Sequence, residues 1–231
     1  MVMTFCVMYT DSDNLIEWRK ALPLSNDKHK VQIVACKTEQ SDDITEPEIE
    51  LIGDTDLLTG LVWRYKNFEE QFDFAAVRNV MDSYARGEWI MHIDSDERLT
   101  TNHDDLWAYL EALTKTDAPS AYVSIYGKTI SKDYSARAER FISANMRLHR
   151  KSAGLKWQGI CHETLDESAF EKKLFADSDI MLYHLGYNES LELLKSKAER
   201  NARLLVREYM RKKSERNWDY LKKTFSYLQN L

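Results

Sequence analysis

The sequence predicts an α/β protein: a mixed, mostly parallel central sheet flanked by helices, with a helical C-terminal extension. Three observations carry this. Apolar runs of strand length at residues 4–9, 31–36 and 89–93 alternate with segments of helical period at 15–22 and 72–86, which is the signature of βαβ units. From residue 189 onward no Pro or Gly interrupts a helical pattern, and such an unbroken stretch reads as long helices. The 231 residues, 43% hydrophobic and 11% aromatic, suffice for one large core with an appendage, since domains run to ~100–250 residues. The division expected is a ligand-binding domain over 1–187 and a helical extension over 188–231.

In chain order, residues 4–9 form a buried strand, and the polar turn at 11–14 supplies capping side chains for a helix over 15–22 with Leu15, Trp18 and Leu22 on one face. Residues 31–36 are the second strand. The acidic stretch 46–59 is poorly patterned and reads as a loop with a weak strand. A third strand covers 61–65, and Phe72, Ala75, Ala76, Val80 and Tyr84 mark a helix over 72–86. The run 89–93 is the strand that feeds Asp94-Ser95-Asp96. Asn102 caps a helix over 102–114, with Leu106, Leu110 and Leu113 inward. Strands follow at 122–126, 145–149 and 180–183.

Composition narrows the class. Cys6, Cys36 and Cys161 are odd in number, lack metal-like spacing and sit in or beside apolar runs, as buried reduced thiols do. That pattern fits a reducing, cytoplasmic compartment. The first 13 residues carry no signal-peptide pattern, and no window approaches the ~20 apolar residues of a membrane span. Between Lys195 and Lys223, eleven Lys or Arg face four Asp or Glu, a local +7 in a chain of net charge −6, which leaves −13 elsewhere. A basic tail of this kind is either a solvated helix face or a surface for an anionic partner, including peripheral contact with the inner face of a membrane. Leu191, Leu194, Ala198, Leu204 and Leu205 also form an apolar stripe suited to a homodimer.

Four constellations carry chemistry. Asp94 and Asp96 end a buried strand, at the lip where open α/β sheets bind ligands. Two carboxylates there can hold a divalent cation, and the cation a diphosphate. Arg78 and Asn79 lie on the preceding helix, where they reach the same crevice. Gly159 lets backbones approach closely, and His162-Glu163 offers two adjacent proton acceptors, of which a strand presents one to each side. His184 stands at the end of the last strand, before Gly186, where it reads as a contact to metal or phosphate.

With Asp73-Phe74-Ala75-Ala76-Val77-Arg78-Asn79, Gly87-Glu88-Trp89-Ile90, Asp94-Ser95-Asp96-Glu97, Arg147-Leu148-His149-Arg150, His162-Glu163, His184-Leu185-Gly186-Tyr187 and Lys197-Ala198-Glu199-Arg200-Asn201 in this order, the chain resembles the family 2 glycosyltransferases of GT-A fold. It is most similar to the bacterial branch that includes lipopolysaccharide-core and peptide glycosyltransferases. The resemblance covers about residues 61–205. It implies a nucleoside-diphosphate sugar donor, UDP-linked first, a Mn²⁺ or Mg²⁺ ion, and transfer with inversion. It places Asp94, Asp96 and His184 at the metal, and Glu163 as catalytic base ahead of His162. Tyr9, Asp11, Glu39, Arg78, Asp94 and Ser95 then contact the donor nucleotide. The family's Asp-rich turn after the second strand is replaced by Cys36-Lys37-Thr38-Glu39-Gln40, which leaves Glu39 to accept the base's imide hydrogen. The acceptor expected is a glycan or glycolipid, then a peptide, then a base in nucleic acid. Two alternatives are a nucleotidyltransferase, against which the acidic, glycine-free turn at 9–14 speaks, and a non-catalytic nucleotide-sugar adaptor.

Overall fold

A computed structural model describes residues 1–130, 137–166, 168, 179–185 and 191–229. It is an α/β structure around one mixed sheet of nine strands among the described residues, as the sequence predicts. The elements that build it begin with β1 (Val2–Tyr9), α1 (Ser12–Lys20), β2 (Lys30–Gln40), β3 (Glu48–Asp54) and β4 (Leu58–Tyr65). After α2 (Phe68–Gln71) and α3 (Phe74–Tyr84) come β5 (Trp89–His92), β6 (Glu97–Leu99), α4 (His103–Thr114), β7 (Ser120–Ile130) and β8 (Arg137–Arg150). β9 (Trp157–Gln158), β10 (Thr164–Leu165), β11 (Met181–His184), α5 (Leu191–Arg211) and α6 (Glu215–Gln229) complete them. The sheet order is β3-β4-β2-β1-β5-β8-β7-β11-β6, with β9 and β10 as a separate pair. β4, β2, β1 and β5 run parallel, so their carboxyl ends share one lip.

Strand alternation sorts the core into two layers. Met3, Phe5 and Val7 of β1 face α1 and α4, where they meet Trp18, Leu106 and Leu110. Cys6 faces the other way, toward Val77 and Met81 of α3. A period of two on the sheet against 3.6 on the helices produces this sandwich. All three cysteines are buried thiols, and burial pushes Cys36 and Cys161 up to about 12, matching their expected structural role.

The crossover from α3 to β5 sets where the aspartate pair emerges. Asp73 caps α3 by accepting from the Ala76 amide at 2.9 Å, so the helix starts there and not at Phe72, which belongs to the turn after α2. At the far end, buried Gln32 accepts from Thr4 Oγ1 (2.8 Å) and from the Arg86 amide (2.6 Å), and donates to the Tyr84 carbonyl (3.1 Å). Gly87 lies so close to β1 that a Cβ would sit 2.6 Å from the Thr4 nitrogen. This packing leaves no freedom in where β5 begins, and hence in where it delivers Asp94.

Two regions depart from the sequence reading. The stretch 46–59, expected as a loop with a weak strand, contains a regular strand, β3, paired antiparallel with β4 and broken by a bulge between Leu51 and Gly53. β3 is exposed throughout; its strand state comes from pairing, not from a buried face, so no apolar alternation marks it. The short strands β6, β9 and β10 also went unread, because two or three residues carry no period. At the C-terminus, Ala198, Leu204 and Leu205 of the apolar stripe are buried within the chain, the two leucines beside Ile160, Cys161 and Leu221. No helix among the described residues is long and apolar enough to cross a membrane. Gly186 and Tyr187, and the expected boundary between 187 and 188, lie outside the described residues.

Candidate functional site

The parallel strands bring several predicted residues to one lip. Tyr9 ends β1 and pairs in register with Lys37 of β2. Asp11 follows as the cap of α1, accepting from the Asp13 amide at 2.9 Å. Glu39 is near the end of β2, and Asp94, Ser95 and Asp96 leave β5. Glu39 is engaged by its neighbours: Lys37 Nζ lies 2.8 Å from Oε2 and Arg64 Nε 2.9 Å from Oε1.

Asp94 is the hub. Its carboxylate accepts from Arg78 Nη2 (2.8 Å), Arg147 Nη1 (3.1 Å) and Arg147 Nη2 (2.8 Å). Burial opposes its charge, yet Arg147 and Arg78 more than offset that and hold it well below the usual carboxylate range. Arg78 also donates through Nε to Glu163 Oε1 at 2.6 Å. One guanidinium, 3% exposed, thus ties the aspartate after β5 to the carboxylate before β10. Glu97, 1% exposed, accepts from the Asp94 amide at 2.9 Å and lies 3.5 Å from Arg147. Burial, with Asp94 and Asp96 nearby, pushes Glu97 up to about 7, against the pull of Arg147.

Asp96 differs from Asp94. The two side chains are 33% and 35% exposed, Asp94 and Asp96 respectively, but Asp96 meets an imidazole: Oδ2 lies 3.7 Å from His184 Nε2. The Asp96 carbonyl accepts from the Leu185 amide at 2.7 Å, which fastens the aspartate turn to the end of β11. The Ser95 carbonyl accepts from Arg98 at 2.8 Å. His162 and Glu163 part company. His162 takes a left-handed backbone, φ 54°, and its ring stacks on Tyr220 of α6 at 4.9 Å and 6°, while Glu163 turns to Arg78. Asn79 holds β9 through both ends of its amide, accepting from the Trp157 amide and donating to its carbonyl, each at 2.9 Å.

Below the hub lies a second polar cluster. Asp82, one turn beyond Arg78 on α3, is bonded by His92 Nε2 (2.6 Å) and Trp157 Nε1 (3.1 Å), with His149 Nε2 3.2 Å away. Burial brings His92 down to about 4 despite Asp82, so its imidazole is neutral at pH 7. Cys6, Asp82 and His92 place one potential ligand atom each within 4.8 Å of one another, the only such trio found among the described residues. The carboxylate and imidazole of that trio are already bonded to each other.

Sequence reading missed Arg147 and Glu97 as members of the hub, and the Asp82 cluster altogether. A polar residue inside an apolar strand was the available signal for His92 in β5; Arg147 lies in β8 among several other charged residues and carried no such mark. A buried polar group without a partner is costly, so His92 called for one.

The hub makes a testable demand on stability. Removing one member of a buried, hydrogen-bonded ion network costs ~3–5 kcal/mol, because its partners keep their charge without compensation. Arg78→Ala strands Glu163 and leaves Asp94 to Arg147 alone, and is expected to lower unfolding free energy by that amount in urea titrations. A loss under about 1 kcal/mol, the range of exposed pairs, would show that the hub is not a buried network.

No family model matches the chain. The chain is 26% identical over 141 residues to the SPbeta prophage-derived glycosyltransferase SunS of Bacillus subtilis (strain 168), and equally to glycosyltransferase SunS of Bacillus phage SPbeta. The match covers 61% of this chain and spans 31% of the length of each relative. Among solved structures, S. aureus TarS 1-349 overlays with a TM-score of 0.42 at 12% identity, covering 93% of this chain and 74% of that one. Its complex with UDP overlays with a TM-score of 0.41 at 13% identity, covering 89% and 66%.

Proposed function

We propose that this chain is a glycosyltransferase of GT-A fold that moves a sugar from a nucleoside-diphosphate sugar to an acceptor hydroxyl, with a divalent cation and with inversion. The observation that carries the reading is the hub itself: a D-x-D pair at the carboxyl lip of parallel strands, joined through Arg78 to a carboxylate on a separate loop. The similarity to SunS supports it. The catalytic unit would span residues 1–187 and the helical extension 188–231.

The residues present fit a hard divalent cation. Arg78 and Arg147 engage Asp94, Glu97 and Glu163, and among the described residues Asp96 forms no ion pair with a guanidinium. Asp96 Oδ2 and His184 Nε2 stand 3.7 Å apart, longer than a hydrogen bond and close to the roughly 3–3.5 Å expected of neighbouring ligands on one small cation. The oxygen and imidazole donors suit Mn²⁺ or Mg²⁺. When bound, the ion would neutralise charge on the leaving diphosphate.

The chain's own residues do the rest. Asp94, fixed by two guanidinium groups, is held in one orientation and can accept from a ribose hydroxyl with little reorganisation. Tyr9, Asp11, Glu39 and Ser95 border the same lip and would contact the nucleotide, Glu39 by giving up Lys37 or Arg64. Glu163 has Oε1 on Arg78 and no hydrogen bond to Oε2 among the described residues. That second oxygen is the group that would take the acceptor's proton. Arg78 keeps Glu163 oriented. His162, turned onto Tyr220, serves the loop and not the proton transfer. The acceptor is a glycan or glycolipid first, and a peptide or a nucleic-acid base after it.

The test is donor release. With Mn²⁺ and a panel of UDP-, GDP-, ADP- and dTDP-sugars, the chain is expected to liberate free sugar and nucleoside diphosphate slowly from one donor class, and to stop in EDTA. Nucleotide binding without release from any donor would favour the adaptor reading. Neither binding nor release would overturn the proposal.

A further inference from the structure

The C-terminal helices reach into the Glu163 loop in a way the transfer chemistry does not by itself require. Gly159 has φ 98°, and a Cβ there would stand 2.8 Å from Arg216 Nη2. The Arg216 guanidinium of α6 therefore lies flush on the loop backbone. Its Nη2 donates to the His162 carbonyl at 2.7 Å, and its plane sits 5.0 Å over Tyr220, the ring on which His162 stacks. Arg216 Nη1 is 3.5 Å from Glu208 of α5. Glu208 in turn accepts from the Ile160 amide at 3.0 Å. From behind, the Ile160 carbonyl accepts from the Phe74 amide at the start of α3.

The loop is thus gripped between α3 and the α5–α6 pair, and the grip centres on a strained residue. His162 is not glycine, yet its φ is 54°, a conformation that non-glycine residues hold only when their surroundings impose it. That backbone turn is what sends the His162 ring toward α6 and the next side chain, Glu163, toward Arg78. Release of the carbonyl and the ring would let His162 relax to ordinary φ and swing Glu163 off Arg78.

We infer that Arg216 and Tyr220 are positioning residues for Glu163: α6 holds His162 in its left-handed turn and so aims the carboxylate at the reaction centre. The inference rests on Glu163 as the base under the proposed function. It also assigns the helical extension a part in catalysis, by way of a loop more than 50 residues earlier in the chain.

Two measurements on the full chain test it. The first compares Arg216→Ala and Tyr220→Leu in two backgrounds, Glu163 and Glu163→Gln, with whichever nucleoside-diphosphate sugar the wild type turns over. If α6 acts through Glu163, each substitution lowers kcat by about 10–100-fold with donor KM within about twofold, and costs under about threefold once Glu163 is Gln. An equal fold loss in both backgrounds overturns the inference. The second reads hydrogen exchange by mass spectrometry. In Arg216→Ala, the Ile160 amide, which is bonded to Glu208, is expected to exchange at least ~10-fold faster while those of α4 stay unchanged. Unaltered exchange at Ile160 overturns the inference whether or not the chain proves to be a transferase. Absence of turnover in the wild type counts against the proposed function alone.

Discussion

Asp96→Ala is expected to abolish donor turnover, with a loss of at least ~10³-fold, the scale on which removal of charge stabilisation at a leaving group is felt. The fold should survive. The Asp96 side chain is 35% exposed and faces His184 across 3.7 Å, whereas its structural contact, from the Leu185 amide to its carbonyl, is made by backbone and is untouched. Chromatographic assay of nucleoside diphosphate released from the preferred donor, beside a thermal melt, separates the two. A melting temperature within a few degrees of wild type together with lost turnover is the predicted pair. Retained turnover would remove Asp96 from the metal.

Glu163→Gln is expected to leave nucleotide binding intact and to cost transfer ~10²–10⁴-fold, the usual contribution of general-base catalysis. Gln can still accept from Arg78 Nε through its carbonyl oxygen, so the 2.6 Å contact has a neutral substitute and Arg78 keeps Asp94. The loss should fall on kcat, with donor KM little changed, because the carboxylate is needed only when the acceptor proton leaves. Calorimetry with the nucleoside diphosphate and steady-state rates on the same preparations check both halves. Normal transfer by the Gln variant would displace Glu163 from its role and with it the positioning role of α6.

Much of this architecture is legible in the sequence because burial and period agree along it. β1, β2 and β5 are apolar on both faces, as strands between two helical layers must be, and Asn102 announces its helix by capping it. The site is legible where a charged pair interrupts such a pattern, as Asp94 and Asp96 do. What stayed hidden depends on partners distant in sequence. Nothing near Arg147 tells that it meets Asp94, 53 residues away, on an adjacent strand. Nothing near His162 tells that its ring leaves the cleft for Tyr220, because a left-handed turn at a non-glycine residue is imposed by tertiary contacts. β3 reads only as a weak strand for a third reason: an exposed edge strand has no buried face to imprint a period.

The same logic explains why the two aspartates of one triplet behave differently. Asp94 is fixed by three guanidinium contacts and Asp96 by none, although they share a turn. Fixed charge suits an orienting acceptor. A carboxylate without a guanidinium contact, opposite an imidazole, suits an exchangeable ion.

Crystals soaked with Mn²⁺ and, in turn, UDP, GDP, ADP and dTDP would test the central claim most directly, through the anomalous signal of manganese. The account predicts one peak within ~2.5 Å of Asp96 Oδ2 and His184 Nε2, bridging to a diphosphate whose base lies toward Glu39. A peak at Cys6, Asp82 and His92 instead, or none with every nucleotide, would contradict it.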